Sequence, residues 1–486
     1  MEKEAKLYPN CESYVWLRSC EEEIIHPING EITGEIPNWL RGTLLRNGPG
    51  SLKVGSMRYK HLFDSAALIH RFSIQNGRVT YQCRFLRSNT YKKNQAAQRI
   101  VVTEFGTEAV PDPCHSIFDR IGAIFKPGDT ITDNAMISLY PFGDEVYAFT
   151  EGPVIHRIDT KTLETMERRN LTESIAIVNH TSHPHVMPNG DVYNVGMSVV
   201  SGRIKHVIVK FPYHEKGDMF AHAHVVGSLK PRWILHPAYM HSFGISDNYF
   251  IIVEQPLTIS LVQMTHIVLI RRDTGQELKR YRAETFFFLH VINCYEQGDK
   301  VLVDLCAYKD ANILDAMYVH AIETMQTNPD YAECFRGRPK RFEMNLTDPN
   351  LTKIEPRCLA DIGCETPRID YDKCNGHSYR YFYAIGSEVD VEHTGVLIKV
   401  DTKTREMVTW WNHDCYPSEP IFVPSPDAKG EDDGVIISAL VYGKDDRRID
   451  LLVLDARDLT EIGRAKFTTP SPAPKCLHGW FLPDKC

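Results

Sequence analysis

The chain has 486 residues, 43% of them hydrophobic and 24% charged, which excludes a disordered or fibrous protein and allows a large core. Lysine and arginine number 55 against 63 acidic residues, and there is no long basic run, so no nucleic acid partner is expected. No apolar run approaches the roughly 20 residues of a spanning helix, and the polar start Met1-Glu-Lys-Glu-Ala5 reads as no secretory signal. A cytoplasmic protein with reduced cysteines is the expectation.

Taken in chain order, short β-branched and aromatic runs recur between turn residues. They include Val146-Tyr-Ala-Phe-Thr150, Asp191-Val-Tyr-Asn-Val195, His206-Val-Ile-Val-Lys210, Tyr249-Phe-Ile-Ile-Val253 and Lys300-Val-Leu-Val-Asp304. After a helical period from about Ala311 to Met325 come Arg380-Tyr-Phe-Tyr-Ala384, Val396-Leu-Ile-Lys-Val400, Val435-Ile-Ile-Ser-Ala439 and Leu451-Leu-Val-Leu454. A strand ending in Asp, then a polar turn, recurs at Ile158-Asp-Thr-Lys-Thr162, Arg272-Asp-Thr-Gly-Gln276, Val400-Asp-Thr-Lys-Thr404 and Leu454-Asp-Ala-Arg-Asp458. The last two copies are spaced near the roughly 40–50 residues of a propeller blade. No linker divides the chain. The pattern predicts an all-β fold, a β-propeller, in one domain over residues 1–486.

The sequence carries no HExxH, GxSxG, Walker or GxGxxG motif. Histidine stands out instead, in four apolar settings: Ser182-His183-Pro184-His185, Tyr239-Met-His241-Ser-Phe243, Phe288-Leu-His290-Val-Ile292 and Leu477-His478-Gly-Trp-Phe481. In a propeller, successive blades converge on one axis, where each could give one imidazole to a metal. Spacing alone leaves His183 open against His180, His185 and the pair His222 and His224. A metal-bound imidazole needs an acceptor for its other nitrogen, and Glu151, Glu365 and Glu419 lie in apolar or proline-rich contexts suited to that role.

These segments resemble the carotenoid cleavage oxygenase family over nearly the whole chain. The resemblance rests on Leu44-Leu-Arg-Asn-Gly-Pro49, His61-Leu-Phe-Asp64, Val102-Thr-Glu-Phe-Gly106, Pro111-Asp-Pro-Cys114, His183-Pro-His185, His241-Ser-Phe-Gly244, Tyr416-Pro-Ser-Glu-Pro-Ile-Phe422, Glu431-Asp-Asp-Gly434 and Leu477-His-Gly479. Within the family the chain is most similar to the insect isomerooxygenases, through Leu7-Tyr-Pro-Asn-Cys11, Val15-Trp-Leu-Arg-Ser-Cys20, Met325-Gln-Thr-Asn-Pro329 and Cys476-Leu-His-Gly-Trp-Phe481. The resemblance implies a seven-bladed propeller with a helical cap over the active-site face. It implies Fe(2+) held by His183, His241, His290 and His478, with Glu151, Glu365 and Glu419 orienting three of them, assigned as His241, His290 and His478. O2 is the implied co-substrate.

The implied substrate is a lipophilic carotenoid, β-carotene or zeaxanthin, cut at its central double bond with trans–cis isomerisation. The products would be 11-cis and all-trans retinal. Phe63, Phe105 and Thr150 are implied in or near the substrate cavity. Ile117, Phe118, Ile121, Ile124 and Phe125 fall at helical spacing and read as an amphipathic stripe. The family implies a membrane patch there, with Cys114 open to palmitoylation, and hence peripheral attachment to a membrane surface. A homodimer is among the assemblies the resemblance allows. One departure stands out: after Glu254-Gln-Pro-Leu257 the family carries a longer apolar insertion, whereas here Leu261-Val-Gln-Met264 runs almost directly into Ile267-Val-Leu-Ile270. Two further readings follow, cleavage without isomerisation or retinyl-ester isomerohydrolysis, and a carotenoid- or retinoid-binding protein inactivated by the short segment.

Overall fold

The computed structural model describes residues 6–110, 132–200, 202–215, 218–233, 237–256 and 264–484. Seven antiparallel sheets of four or more strands form the blades of a β-propeller. Blades two, four and six are plain four-stranded meanders, beginning at Ser138–Phe142, Gly244–Ile245 and Cys364–Arg368. Each blade is buried on both faces because it packs between two others. Ile251 and Leu269 of the fourth blade meet Val303 and Phe342 of the fifth, all 0% exposed. Such a strand reads as a continuous apolar run and not as an alternation, which is the pattern of Val435-Ile-Ile-Ser-Ala439. Each fully buried Ile, Leu or Phe contributes about 1.5–3 kcal/mol.

Both ends of the chain close the ring. The C-terminal strand Gly479–Pro483 pairs with Gly42–Ser51 to become the innermost strand of the first blade. Near the amino terminus, Glu31–Gly34 pairs with Glu461–Thr468 at the outer edge of the seventh blade.

The Asp-turn repeat marks the outer hairpin of four blades. Asp159, Asp401 and Asp455 each accept backbone N–H bonds from the turn that follows, as in Lys161 N to Asp159 at 2.8 Å and Lys403 N to Asp401 at 2.8 Å. Four residues beyond each Asp the chain turns left-handed, at Leu163, Arg405 and Leu459. The second copy is offset from the expected alignment. There Gly275 takes the left-handed position at φ +67, which places Arg271 where the others have Asp, and Asp273 lies within the turn. Glycine adopts that conformation without steric cost.

The helical period from Ala311 to Met325 is not one helix. It folds as Asn312–Ala316 and Val319–Thr324, broken at Tyr318. Tyr318 is extended because it bridges His61, and the Val319 N–H donates to the Lys60 carbonyl at 2.8 Å. Local periodicity yields here to a long-range backbone pairing. These helices and the turn Ser13–Trp16 form a cap over one end of the propeller axis.

Cys114, Ile117, Phe118, Ile121, Ile124 and Phe125 lie outside the described residues, as does most of the short segment after Pro256. No helix among the described residues is long and apolar enough to cross a membrane.

The turn geometry is testable. A Cβ at Gly275 would lie 2.1 Å from the Val226 carbonyl oxygen, whereas one at Gly298, φ +60, meets nothing within 4 Å. Gly298→Ala should cost only the left-handed strain, about 1–2 kcal/mol, and Gly275→Ala about 1–3 kcal/mol more. Thermal unfolding midpoints of the two variants check the order.

Candidate metal centre

Seven innermost strands meet around the axis, and each blade sends at least one polar side chain toward it. Blades three, four, five and one supply His183, His241, His290 and His478, at or just before their innermost strands. Blades six and seven supply Glu365 and Glu419, and blade two supplies Tyr140.

Local structure explains each placement. Pro184 holds the preceding His183 in extended backbone. Ser242, next to His241, donates its hydroxyl to the Leu289 carbonyl at 2.6 Å and accepts from the Val291 N–H at 3.1 Å, tying it to both sides of His290. The pairing of Phe287–Gln297 shifts register between Phe288 and Val291, a bulge that re-aims His290 to the axis. His478 immediately precedes the closing strand, so its place depends on ring closure. Beside Glu365, Thr366 is left-handed at φ +51, and its N–H bonds the Glu365 carboxylate at 2.9 Å. A β-branched residue in that region is strained, and such strain concentrates at functional sites.

The four histidines each present one ring nitrogen to a common point, all within 4.8 Å of one another. Consecutive Nε2 atoms are separated by 3.0 Å (His183 to His241), 3.3 Å (His241 to His290) and 3.2 Å (His290 to His478). Nitrogens about 2.0–2.1 Å from one ion lie roughly 3.0–3.4 Å apart at octahedral to tetrahedral angles, so the spacing fits a metal.

The outer nitrogens settle the protonation. His241 Nδ1 faces Glu151 at 2.5 Å, His290 Nδ1 faces Glu365 at 2.5 Å, and His478 Nδ1 faces Glu419 at 2.9 Å. Each Nδ1–H donates outward, which leaves the Nε2 lone pairs facing one another. Burial lowers His478 to about 4, against the pull of Glu419, and lowers His183 well below its ordinary value. Neutral imidazoles with converging lone pairs repel unless a cation lies between them. The donor set therefore fits a divalent metal of the iron, zinc, copper or nickel kind.

The carboxylates are themselves held. Glu419, 2% exposed, accepts from Arg368 at 2.8 Å, Arg46 at 3.2 Å and the Gly479 N–H at 2.9 Å. Burial opposes its charge, but Arg368, then His478 and Arg46, hold its carboxyl well below the usual range. Burial likewise opposes the charge of Glu365, and His290, the Thr366 N–H and the Tyr308 hydroxyl at 2.9 Å keep it ionised. Glu151 accepts the Tyr239 hydroxyl at 2.6 Å. His183 has no carboxylate, and its Nδ1 lies 3.2 Å from the Tyr140 hydroxyl.

The alternatives left open by spacing have other partners. His185 is bound through both nitrogens, to the Phe243 carbonyl at 3.0 Å and the Tyr371 hydroxyl at 3.0 Å. His180 bonds the Thr181 carbonyl, and His224 the His222 carbonyl. Arg46, Arg368, Tyr239, Tyr308 and Tyr140 escaped the sequence reading. Arg46 in the apolar strand Leu44-Leu-Arg-Asn was the one visible signal, because a buried arginine demands an acceptor.

On the cap side the centre opens into an apolar cavity of about 1190 Å³, part of it open to solvent, with His241, His290 and His478 in its wall. Phe63 lines it. Phe105 and Thr150 are not among its lining residues: the Phe105 ring lies 6.1 Å from that of Phe63, is 61% exposed and stands edge-on to His61, and Thr150 lies on the loop that carries Glu151.

Fold and site together define a β-propeller with a four-histidine group that could hold a metal and an apolar cavity beside it. Residues 17–483 match the family model described as retinal pigment epithelial membrane protein, RPE65. The chain is 67% identical to a carotenoid isomerooxygenase of Galleria mellonella, across 99% of this chain and 98% of that one. It is 46% identical to a carotenoid isomerooxygenase of Drosophila melanogaster (99% and 94% covered) and 36% identical to a β,β-carotene 15,15'-dioxygenase of Gallus gallus (96% and 97%). Among solved structures, a cobalt-substituted Synechocystis apocarotenoid oxygenase superposes with TM-score 0.77 at 23% identity, covering 97% of this chain and 99% of that one, a likeness of fold. This chain belongs to the RPE65 and carotenoid oxygenase family of oxidoreductases.

Two predictions follow from the electrostatics. Glu419→Gln strands two buried guanidinium groups, so it should cost about 3–5 kcal/mol and weaken metal binding about 10–100-fold. Glu151→Gln, which leaves no arginine unpaired, should lose metal affinity with a smaller loss of stability. Cobalt titration and thermal unfolding separate the two effects. The second concerns pH. Burial lowers His180, His206 and His478 from 6.5 to about 4. Between those values the unfolded chain binds the extra protons, so stability must fall as pH drops from 6.5 to 4. The slope approaches about 1.4 kcal/mol per pH unit for each histidine. Urea midpoints of metal-free protein across that window would show it, and a flat profile would contradict the buried neutral state.

Proposed function

We propose that the protein is an iron(II)-dependent oxygenase that cleaves a carotenoid at its central double bond and isomerises one product to the 11-cis form. The observation that carries this reading is the convergence of four imidazole nitrogens beside an apolar cavity whose wall includes His241, His290 and His478. The names of the insect relatives, at 67% and 46% identity over nearly full length, support isomerisation together with cleavage.

His183, His241, His290 and His478 would hold iron(II), which when bound would supply dioxygen activation. The protein's own groups do the rest. Three carboxylates keep Nδ1 protonated on His241, His290 and His478, fixing the ring planes and adding negative charge without taking coordination positions. Apolar residues of the cap and the cavity floor, among them Ile313, Met317 and Leu477, exclude water and order the polyene beside the centre. The rings of Phe63, Tyr308 and Phe335 line the same cavity. Their electron-rich faces favour the positive character of a polyene whose central bond is losing double-bond order. Tyr308 is pushed far above the phenol range by burial, then by Glu365, so it remains a neutral donor to that carboxylate. A substrate this apolar resides in lipid, and we include peripheral membrane docking in the proposal.

The test is aerobic incubation of iron-loaded protein with β-carotene or zeaxanthin in detergent, with isomer-resolving chromatography of the aldehydes. Equal 11-cis and all-trans aldehydes are expected, and His241→Ala should abolish metal binding and cleavage together. All-trans aldehyde alone would reduce the reading to cleavage without isomerisation. Intact carotenoid over metal-loaded protein would overturn it in favour of a binding protein.

A further inference from the structure

The apolar cavity contains one cationic side chain among the residues lining it, Lys475. Its residue is 5% exposed, three positions before His478 at the end of the chain that closes the ring. The Nζ atom bonds the main-chain carbonyls of Tyr416, at 3.3 Å, and Pro417, and stands 5.2 Å from the Trp16 ring centroid. Tyr416, Pro417 and Trp16 all line the same cavity as His241, His290 and His478, so the amine is held among residues of its wall. No carboxylate pairs with it among the described residues. A lysine placed in an apolar wall without a counter-ion is poorly explained as packing. An ammonium there is costly, and a hydrocarbon substrate gains nothing from it.

Two carbonyl acceptors match the donor capacity of a neutral amine, which keeps a lone pair for an electrophile. We infer that Lys475 binds a polyene aldehyde covalently, as a reversible imine, and so retains a cleavage product within the cavity. The inference rests on the proposed cleavage for the source of the aldehyde. The step balances without any oxidant. Lys475 gives one proton to solvent, and its nitrogen forms a C–N bond to the aldehyde carbon while a second N–H proton passes to the carbonyl oxygen. Water then leaves to give C=N, and addition of water reverses the sequence and frees the aldehyde. Burial, with a smaller contribution from Arg46, lowers the Lys475 amine to about 7, against the opposing influence of Cys476. A substantial fraction is therefore nucleophilic near neutral pH, as in lysines that form imines with carbonyl substrates.

The experiment supplies the aldehyde directly, so it needs no turnover. Full-length protein in detergent receives one equivalent of all-trans-retinal, the absorption spectrum is recorded, and the imine is fixed with cyanoborohydride. Peptide mass mapping then locates the label. The expected result is a red-shifted polyene band and saturable labelling at Lys475, at least tenfold above any exposed lysine. Lys475→Arg keeps the cation but cannot form an imine and should lose both signals. Lys475→Met, which lacks the amine, should lose both signals as well, and Lys475→Arg covers the case in which it fails to fold. Label confined to exposed lysines, equal in the unaltered protein and in Lys475→Arg, would overturn the inference. Because no metal chemistry enters this assay, its failure leaves the cleavage reading standing, and failed carotenoid cleavage leaves this result interpretable.

Discussion

Everything at the axis leans on one buried carboxylate. Glu419 lies between Arg46 of the first blade, Arg368 of the sixth and His478 at the start of the closing strand, while belonging to the seventh blade itself. Three blades thus meet in one ion cluster almost wholly out of water. Each charge there is tolerable only because the others are present, since desolvating any of them alone costs several kcal/mol. The histidine that depends on this carboxylate is also the one carried by the strand that closes the ring. Closure of the propeller and assembly of the metal centre are therefore a single structural event.

The three carboxylates are not equivalent, and the difference has chemical content. Glu151 and Glu365 share their charge with tyrosine hydroxyls, which leaves most of their basicity directed at His241 and His290. Glu419 divides its charge between two guanidinium groups, so His478 receives less. His183, facing the Tyr140 hydroxyl, has no anion at all. Outer partners tune the donor strength of metal-bound imidazoles. The outer support of the histidines is graded around the axis, from His241 and His290 on carboxylates to His183 facing only a neutral phenol.

The site also divides two environments across a few ångströms. Behind the histidines lie carboxylates, arginines and tyrosine hydroxyls, bonded to one another and to the main chain of the blades. In front lies a cavity with apolar walls, roofed by the cap. A polar scaffold can hold a dipositive ion, and an apolar chamber can hold a hydrocarbon. The two abut at the imidazoles of His241, His290 and His478. Lys475 breaks that division, which is why a hydrocarbon alone does not explain it.

Much of this was legible before any coordinates. Short buried strands announced an all-β propeller because a strand packed on both faces must be apolar throughout, and the Asp turns marked four outer hairpins. The four histidines and three glutamates stood out because polar groups in apolar segments require partners. Three things were not legible. Spacing could not separate His183 from His185, since both flank the same proline and only the tertiary structure sends one to the axis and the other to the Phe243 carbonyl. Periodicity from Ala311 to Met325 concealed the break at Tyr318, which exists because His61, remote in sequence, pairs with it. The cation partners Arg46 and Arg368, and Tyr140 behind His183, are joined to the site only through space. The sequence by itself determined the kinds of groups that had to be buried and the period at which the chain folds back. Only the tertiary structure decided which buried group meets which, because that depends on how seven blades close around one axis.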